Sequence, residues 1–248
     1  MRYLILSDIH SNQEALEACV HRAKEAGYDS VLCCGDIVGY GPSPLEAIDG
    51  IRGLNAITIR GNHDRVAAGL DEATQFNPHA RRAVYWTRSV LPDSYRDYLV
   101  NLPMGPLDIT AEAQLVHGAV SHEDDYIFTE ADADENFLLT DKPITFFGHS
   151  HFPVVFCSDG AGNSVQAASY EFDEFIAVKC EHGKKLFVNP GSVGQPRDGD
   201  SRASFAIWDE NRGRMEFYRV EYDVKLTQDK MRAVELPTYL IDRLAHGR

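Results

Sequence analysis

Nine residues of types able to hold a divalent cation fall at the ends of five apolar runs. "RYLILSD" delivers Asp8 and, two residues on, His10. "VLCCGD" ends in Asp36, "ITIRGNHD" in Asn62, His63 and Asp64, "QLVHG" in His117, and "TFFGHSH" in His149 and His151. Residues i and i+2 of a strand share a face, so two histidines spaced this way at a strand's exit can converge on one object. Taken singly, each has a plainer use: Asp8 as a turn or cap residue, His117 as a satisfied core histidine, Asn62 in a tight turn after Gly61. Five strand ends closing on Asp, Asn or His need one common reason, and a metal site supplies it. Mixed imidazole and oxygen donors suit manganese, iron, zinc, cobalt or nickel. The lack of thiolate in the set argues against a closed structural zinc.

The strands and helices around Asp8, His10, Asp36 and Asn62 are legible in the first third of the chain. "RYLILSD", "SVLCCGD" and "AITIRGN" read as buried strands. Between them, "NQEALEACVHRAKEAG" is an amphipathic helix with Leu16, Cys19, Val20 and Ala23 on one face. Ser11 and Glu14 predict a capping box at its start and Gly27 its stop. "SPLEAIDGIRGL" is a shorter helix with Pro44 near its start. This β-α-β-α-β order predicts a parallel sheet, where ligands lie outside the carboxyl ends of the strands.

From 64 to about 103 the pattern becomes two or three helices with Asn-Pro and Leu-Pro breaks, a lid-like insertion. The remainder reads mainly as strands: "AQLVHGAV", "ITFFGHS", "FPVVFC", "SVQAASYEF", "FIAVKC", "KKLFVNPGS", "ASFAIWDE" and "MEFYRVEYD". Hairpin turns are expected at "SDGAGN" and "EHGK", and a helical tail from Val224 broken at Pro237. The expected fold class is α/β: one domain over 1–248, with two packed mixed β-sheets flanked by helices and a helical insertion.

A net charge of -14 argues against a general nucleic-acid or anionic-membrane surface, which wants a basic stripe. The five cysteines are odd in number and form no CxxC pair, which suits reduced, buried thiols better than a disulfide frame. The apolar start is too short for a signal peptide and no run approaches membrane-spanning length, so a cytoplasmic protein is expected.

The motif series "SDIH", "GDIVGYG", "GNHD", "VHG" and "GHSH" resembles that of the calcineurin-like metallophosphoesterase superfamily, in order and complete over positions 8 to 151. "GDIVGYGPSPLE" and "VNPGSVGQPRDGD" are similar to a small prokaryotic branch of phosphodiesterases and dinucleoside polyphosphate hydrolases. The resemblance implies a four-layer αββα sandwich and two divalent metal ions. Asp8, His10, Asp36 and His151 would hold one, and Asp36, Asn62, His117 and His149 the other. It further implies hydrolysis by direct attack of a metal-bridging hydroxide on phosphorus. His63 would protonate the leaving group and Asp64 would orient its imidazole. Asn12, Asn189, Ser192, Arg197 and Arg81 are candidates for substrate contact or for bracing the ligands, with helix capping the plainer reading of Asn12.

The expected substrate is a small phosphodiester, phosphomonoester or dinucleoside polyphosphate. Phe76, Tyr85 and Trp86 in the insertion are candidates to stack a base, against the plainer reading that they are core. Protein Ser/Thr phosphatases of the superfamily carry "GDxVDRG"; Gly39 and Tyr40 stand here where Asp and Arg would, which argues against that activity. A non-catalytic binding module would show missing ligands, and none is missing. A nuclease would want a basic groove. The acidic run "GAVSHEDDYIF", with an extra His122, either repels anions or binds a further cation.

Overall fold

In the computed structural model, which describes residues 1–159, 165–168, 173–180 and 183–248, the chain opens as β1 (Arg2–Leu6), α1 (Gln13–Ala26), β2 (Ser30–Cys33), α2 (Pro44–Gly53) and β3 (Ile57–Thr58). Three helices follow, α3 (Asn62–Ala67), α4 (Pro78–Val90) and α5 (Asp93–Val100). Then come β4 (Leu107–Asp108), β5 (Ala113–Leu115), α6 (Glu130–Phe137), β6 (Ile144–Phe146), β7 (Pro153–Ser158), β8 (Gln166–Ala168) and β9 (Phe175–Lys179). The chain closes with β10 (Lys185–Pro190), β11 (Ala203–Asp209), β12 (Arg214–Val220), α7 (Val224–Ala233) and α8 (Thr238–Leu244).

Among the described residues the strands form two mixed sheets of six, ordered β3-β2-β1-β11-β12-β9 and β4-β5-β6-β10-β7-β8. β1, β2 and β3 run parallel in the first, as do β5, β6 and β10 in the second. Period-2 alternation builds the layers. Tyr3 and Ile5 of β1 face the space between the sheets, with Phe146, Leu186, Val188, Trp208 and Phe217. Leu4 and Leu6 face outward onto α1 and α2, against Leu16, Cys19, Ile48 and Ile51. Each such fully buried side chain stabilises the fold by about 1.5–3 kcal/mol. The outer face of the second sheet is covered by Ala133 and Phe137 of α6, packed with Phe147 and Phe187.

Several local expectations shift. The N-cap of α1 is Asn12, not Ser11: its Oδ1 accepts from Ala15 N–H at 3.1 Å. Ser11 is displaced into a left-handed turn with φ 55°. Glu14 bonds Thr227 and Lys230 of α7 rather than closing a capping box. α6 was not expected, although Thr129 and Asp132 cap each other's backbone N–H groups at its start, a pattern visible as "TEAD". The short edge strand β4 was also unforeseen. The "SDGAGN" and "EHGK" turns and the end of "SVQAASYEF" fall wholly or partly outside the described residues. No helix among the described residues is long and apolar enough to cross a membrane.

Candidate metal centre

β1, β2 and β3 deliver their carboxyl ends to the same edge as those of β5 and β6, so both sheets supply the centre. The pairing of β1 with β2 continues beyond the strands: Asp8 N–H donates to Gly35 C=O at 3.0 Å and His10 N–H to Asp36 C=O at 3.0 Å. The second sheet is tied in by His149, whose backbone N–H donates to both Asp8 oxygens at 3.1 and 3.2 Å. Gly148 permits this approach, since a Cβ there would lie 2.0 Å from Ser7 Oγ and 2.8 Å from Asp8 Oδ2.

Asp8, His10, Asp36, Asn62, His117, His149 and His151 are all buried. Asp8, His10 and His151 offer ligand atoms within 4.8 Å of one another, and so do Asp36, His117 and His149. Asp36 Oδ2 lies between the groups, 3.6 Å from His10 Nε2 and 3.5 Å from His117 Nε2. Asn62 Oδ1 is 3.2 Å from the same His117 nitrogen.

The rings are oriented from behind. His10 Nδ1 lies 3.1 Å from Val38 C=O, His117 Nδ1 2.8 Å from Cys34 C=O, and His151 Nδ1 2.6 Å from Gln195 C=O. His149 instead uses Nε2, 3.1 Å from Asp124 C=O. A carbonyl only accepts, so each of these nitrogens carries the proton and the opposite nitrogen points inward. Metal-binding histidines are held this way. His10 and His151 thus face each other through Nε2 at 3.2 Å, an arrangement that is repulsive between lone pairs and suits a shared cation. The donor set fits divalent metal ions.

Electrostatics agree. Burial pushes the imidazoles of His10 and His151 well below their ordinary value and that of His149 down to about 3, which keeps their lone pairs free. Burial and the neighbouring Asp36 raise Asp8 to about 6. Burial also acts against Asp36, but the imidazoles of His117, His63 and His10 outweigh it and hold Asp36 well below the carboxylate range. His117 is the counterpart: burial lowers it, Asp36 and Asp8 overcome that, and it rises to about 10. A cation at Asp36 would replace the proton that His117 otherwise shares with it.

Chain comparisons place these residues in a known family. A model described as the calcineurin-like phosphoesterase superfamily domain matches residues 1–213. The chain belongs to that superfamily. It is 40% identical to a metallophosphoesterase from Sphaerobacter thermophilus of known crystal structure, with a TM-score of 0.88 over 100% of this chain and 99% of that one. An uncharacterised protein of Methanocaldococcus jannaschii is 36% identical over 98% of this chain and 97% of its own. A hypothetical protein of Pyrococcus horikoshii shares the fold at 23% identity, with a TM-score of 0.79 over 100% of this chain and 98% of that one.

In this calcineurin-like chain a cavity of about 410 Å³ opens over the cluster, lined by Asp36, Asn62, His63, His149 and His151 and further out by Tyr40, Phe76, Tyr126 and Arg197. A shallower groove of about 540 Å³ lies elsewhere, around Arg2 and Glu216. Arg2 there is paired with Asp209 at 2.7 Å and Glu216 at 2.9 Å, so the groove reads as a structural ion network.

The remaining candidates separate by contact. His63 lines the cavity, and its backbone N–H donates to Asp36 Oδ1 at 2.9 Å. Its Nδ1 is buried without a hydrogen-bond partner and abuts Gly39, where a Cβ would lie 2.3 Å from it. Gly39, at φ 94°, is therefore the residue this position requires. Asp64 does not orient the His63 ring as expected. Its two oxygens accept from Val38 N–H at 3.1 Å and Gly61 N–H at 3.0 Å, so it braces the loops that carry Asp36 and Asn62.

Asn12 caps α1 and donates to Gly194 C=O, away from the cavity. Asn189 donates to Gly148 C=O at 2.8 Å and Ser150 Oγ at 3.0 Å, and Ser192 to Asp8 C=O at 2.8 Å. Both are wholly buried and brace the ligand loops from behind. Arg81 is spent on the carbonyls of Ala73, Thr74 and Phe76 and does not line the cavity. Arg197 does line it. Gln195 Oε1 holds its guanidinium at 3.0 Å and Tyr40 Oη at 3.3 Å.

Of the three aromatic candidates only Phe76 reaches the cavity, 4.5 Å from the His63 ring. Tyr85 bonds Glu72 and Trp86 packs with the C-terminal helices. His122 belongs to no cluster of metal-binding geometry among the described residues. The acid run is held by arginines: Glu123 pairs with Arg60 and Arg65, and Asp124 with Arg65. Sequence reading missed Tyr40, packed against both the His10 and His63 rings, and Tyr126, stacked on His149 at 3.9 Å. Tyr126 lies in the same unusual acidic-aromatic run after His117, which was the available signal.

Proposed function

We propose that this chain is a dinuclear metal-dependent hydrolase of small phosphate esters, phosphodiesters or phosphomonoesters. The observation that carries the proposal is the set of four histidines, each pinned by a backbone carbonyl, whose free nitrogens converge with Asp8 and Asp36. Asp8, His10, Asp36 and His151 would hold one ion, and Asp36, Asn62, His117 and His149 the other. Bound divalent ions polarise phosphoryl oxygens and make water a nucleophile near neutral pH.

The chain's own residues do the rest. Arg197 forms no ion pair among the described residues, so its charge is available to a phosphate oxygen, and Tyr40 and Gln195 hold its fork in place. It supplies the cation that the "GDIVGYG" segment lacks. His63 stands at the cavity wall with Nδ1 against Gly39; burial keeps the free ring neutral, so Nε2 would give its proton to the departing oxygen from the imidazolium form that an anionic phosphate beside the ring favours. Phe76 and Tyr40 flank that ring and exclude water from it.

The test is turnover of bis-p-nitrophenyl phosphate and p-nitrophenyl phosphate by chelated protein after addition of Mn²⁺, Zn²⁺ or Fe²⁺. At least one ester should be hydrolysed, and Arg197→Ala should raise KM by about 10- to 100-fold, the loss of a charge-assisted hydrogen bond. Protein that stays inert with every ion refutes the proposal.

A further inference from the structure

A row of aromatic rings runs outward from the centre. Tyr126 stacks on the His149 imidazole, with centroids 3.9 Å apart and planes at 23°. Phe128 lies nearly parallel to Tyr126, at 4.9 Å and 12°. Phe152, the residue after His151, meets Phe128 edge-on at 6.0 Å. These side chains are 44%, 53% and 37% exposed. Contiguous exposed apolar surface beside a polar cavity is a mark of a ligand-binding or interaction surface.

The row is continuous with the phosphate end of the site. Tyr126 lines the cavity together with Arg197, and its hydroxyl lies beside that guanidinium. Gln75, Phe76 and Asn77 also line the cavity. A cavity of about 410 Å³ falls in the range that encloses a whole small organic ligand rather than a phosphate alone. An organic group attached to a phosphate held at Arg197 meets Tyr126 first and Phe128 next.

We propose that Tyr126, Phe128 and Phe152 form the subsite for a flat, uncharged aromatic group carried by the substrate phosphate. The inference rests on the phosphoesterase reading and narrows it to aryl or nucleoside-type esters. Ring edges of Tyr126 and Phe128 and the Phe152 side chain present a surface suited to edge-to-face and offset contacts with such a group.

The test is calorimetric binding of phenylphosphonate, methylphosphonate and inorganic phosphate to Mn²⁺-loaded protein, wild type and variants. Wild type should favour phenylphosphonate over methylphosphonate by about tenfold, the scale of one aromatic pair with the apolar area it buries. In Phe128→Ala and Tyr126→Ala that ratio should fall to about two or less. Phe152→Ala should reduce it in part. Tight methylphosphonate binding without a phenyl preference overturns the subsite and leaves the phosphoesterase reading standing. Failure of all three anions to bind overturns both. A preference that survives in Phe128→Ala and Tyr126→Ala overturns the subsite. So does a wild-type dimer that Phe128→Ala dissociates, when it comes without phenyl preference, because the rings would then be a self-contact.

Discussion

Asp8, His10, Asp36, His149 and His151 have φ values of 53°, 49°, 54°, 64° and 63°. L residues avoid that region at a cost of about 1–2 kcal/mol each, and such strain clusters at functional sites. Asp and His tolerate it better than most residues. The residue types that bind metal are thus also those the backbone accepts here. Sequence exposed the types and their spacing; it could not expose the turn that aims each one, because the turn depends on contacts such as His149 N–H to Asp8. Asp64 shows the same limit. Its adjacency to His63 suggested a direct pair, but helical geometry sends its carboxylate back to Gly61 and Val38.

Two predictions belong at this scale. His63→Ala should keep its bound metal and lower kcat on an alkyl ester with a poor leaving group by about 10²–10⁴-fold, the range of general acid catalysis. A nitrophenyl ester, which leaves without a proton, should lose much less. Equal losses on both esters would contradict a proton-donating role.

The second concerns pH and the chelated protein. Burial lowers His63 from 6.5 to about 4 and His149 to about 3, and also lowers His10 and His151. Bases lowered on folding take up protons on unfolding, so their stabilisation is present above pH 6.5 and lost as pH falls through the folded values. Asp36, held low, adds to that loss in acid. Asp8 and Asp64, raised by burial to about 6 and about 7, work the other way. They favour the folded state below their unfolded pKa and withdraw that support as pH rises through the folded values. Histidines outnumber these carboxyls, so thermal melts should drop by more than about 5 °C between pH 6.5 and 4. A flat profile would contradict burial of neutral imidazoles.

At the scale of elements, α3 and the segment after β5 are coupled by Arg65, which pairs with Glu123 and, at 2.6 Å, with Asp124. Asp124 C=O in turn orients His149. Arg65→Ala should therefore weaken one metal by about 10- to 100-fold, the usual effect of losing a group that orients a ligand. Metal titration with a competing chelator checks this, and unchanged affinity for both ions would show that the 118–126 segment holds its shape alone. The sequence showed the long, periodic elements well: α1, α2 and α4 carry apolar stripes bounded by Pro, Gly or Asn, and α7 one that starts at the cap Asp223. It hid α6, whose capping pattern sits in an acidic stretch with few apolar positions, and β4, a two-residue edge strand.

At the scale of the molecule, the centre lies where two sheets meet, with Asp8, His10 and Asp36 from one and His117, His149 and His151 from the other. Metal binding should therefore act as a clasp between layers. At a free ion concentration of about 100 times Kd, binding adds about 2.7 kcal/mol, which for a chain of this size is a rise of about 5–10 °C in Tm. Scanning calorimetry with and without chelator measures it; coincident melts would mean that no ion bridges the sheets. That both sheets feed one site was legible only in outline, from strand ends repeating the same chemistry. Which ring touches which carbonyl required the assembled fold.

The proposed centre requires two divalent ions that share Asp36. Elemental analysis of chelated protein reloaded with Mn²⁺ and freed of excess ion, beside Asp36→Asn treated alike, counts them. The wild-type chain should hold close to two ions and the variant at least one fewer. A wild-type chain that retains no stoichiometric ion, or an Asp36→Asn chain that keeps two, would contradict the shared centre.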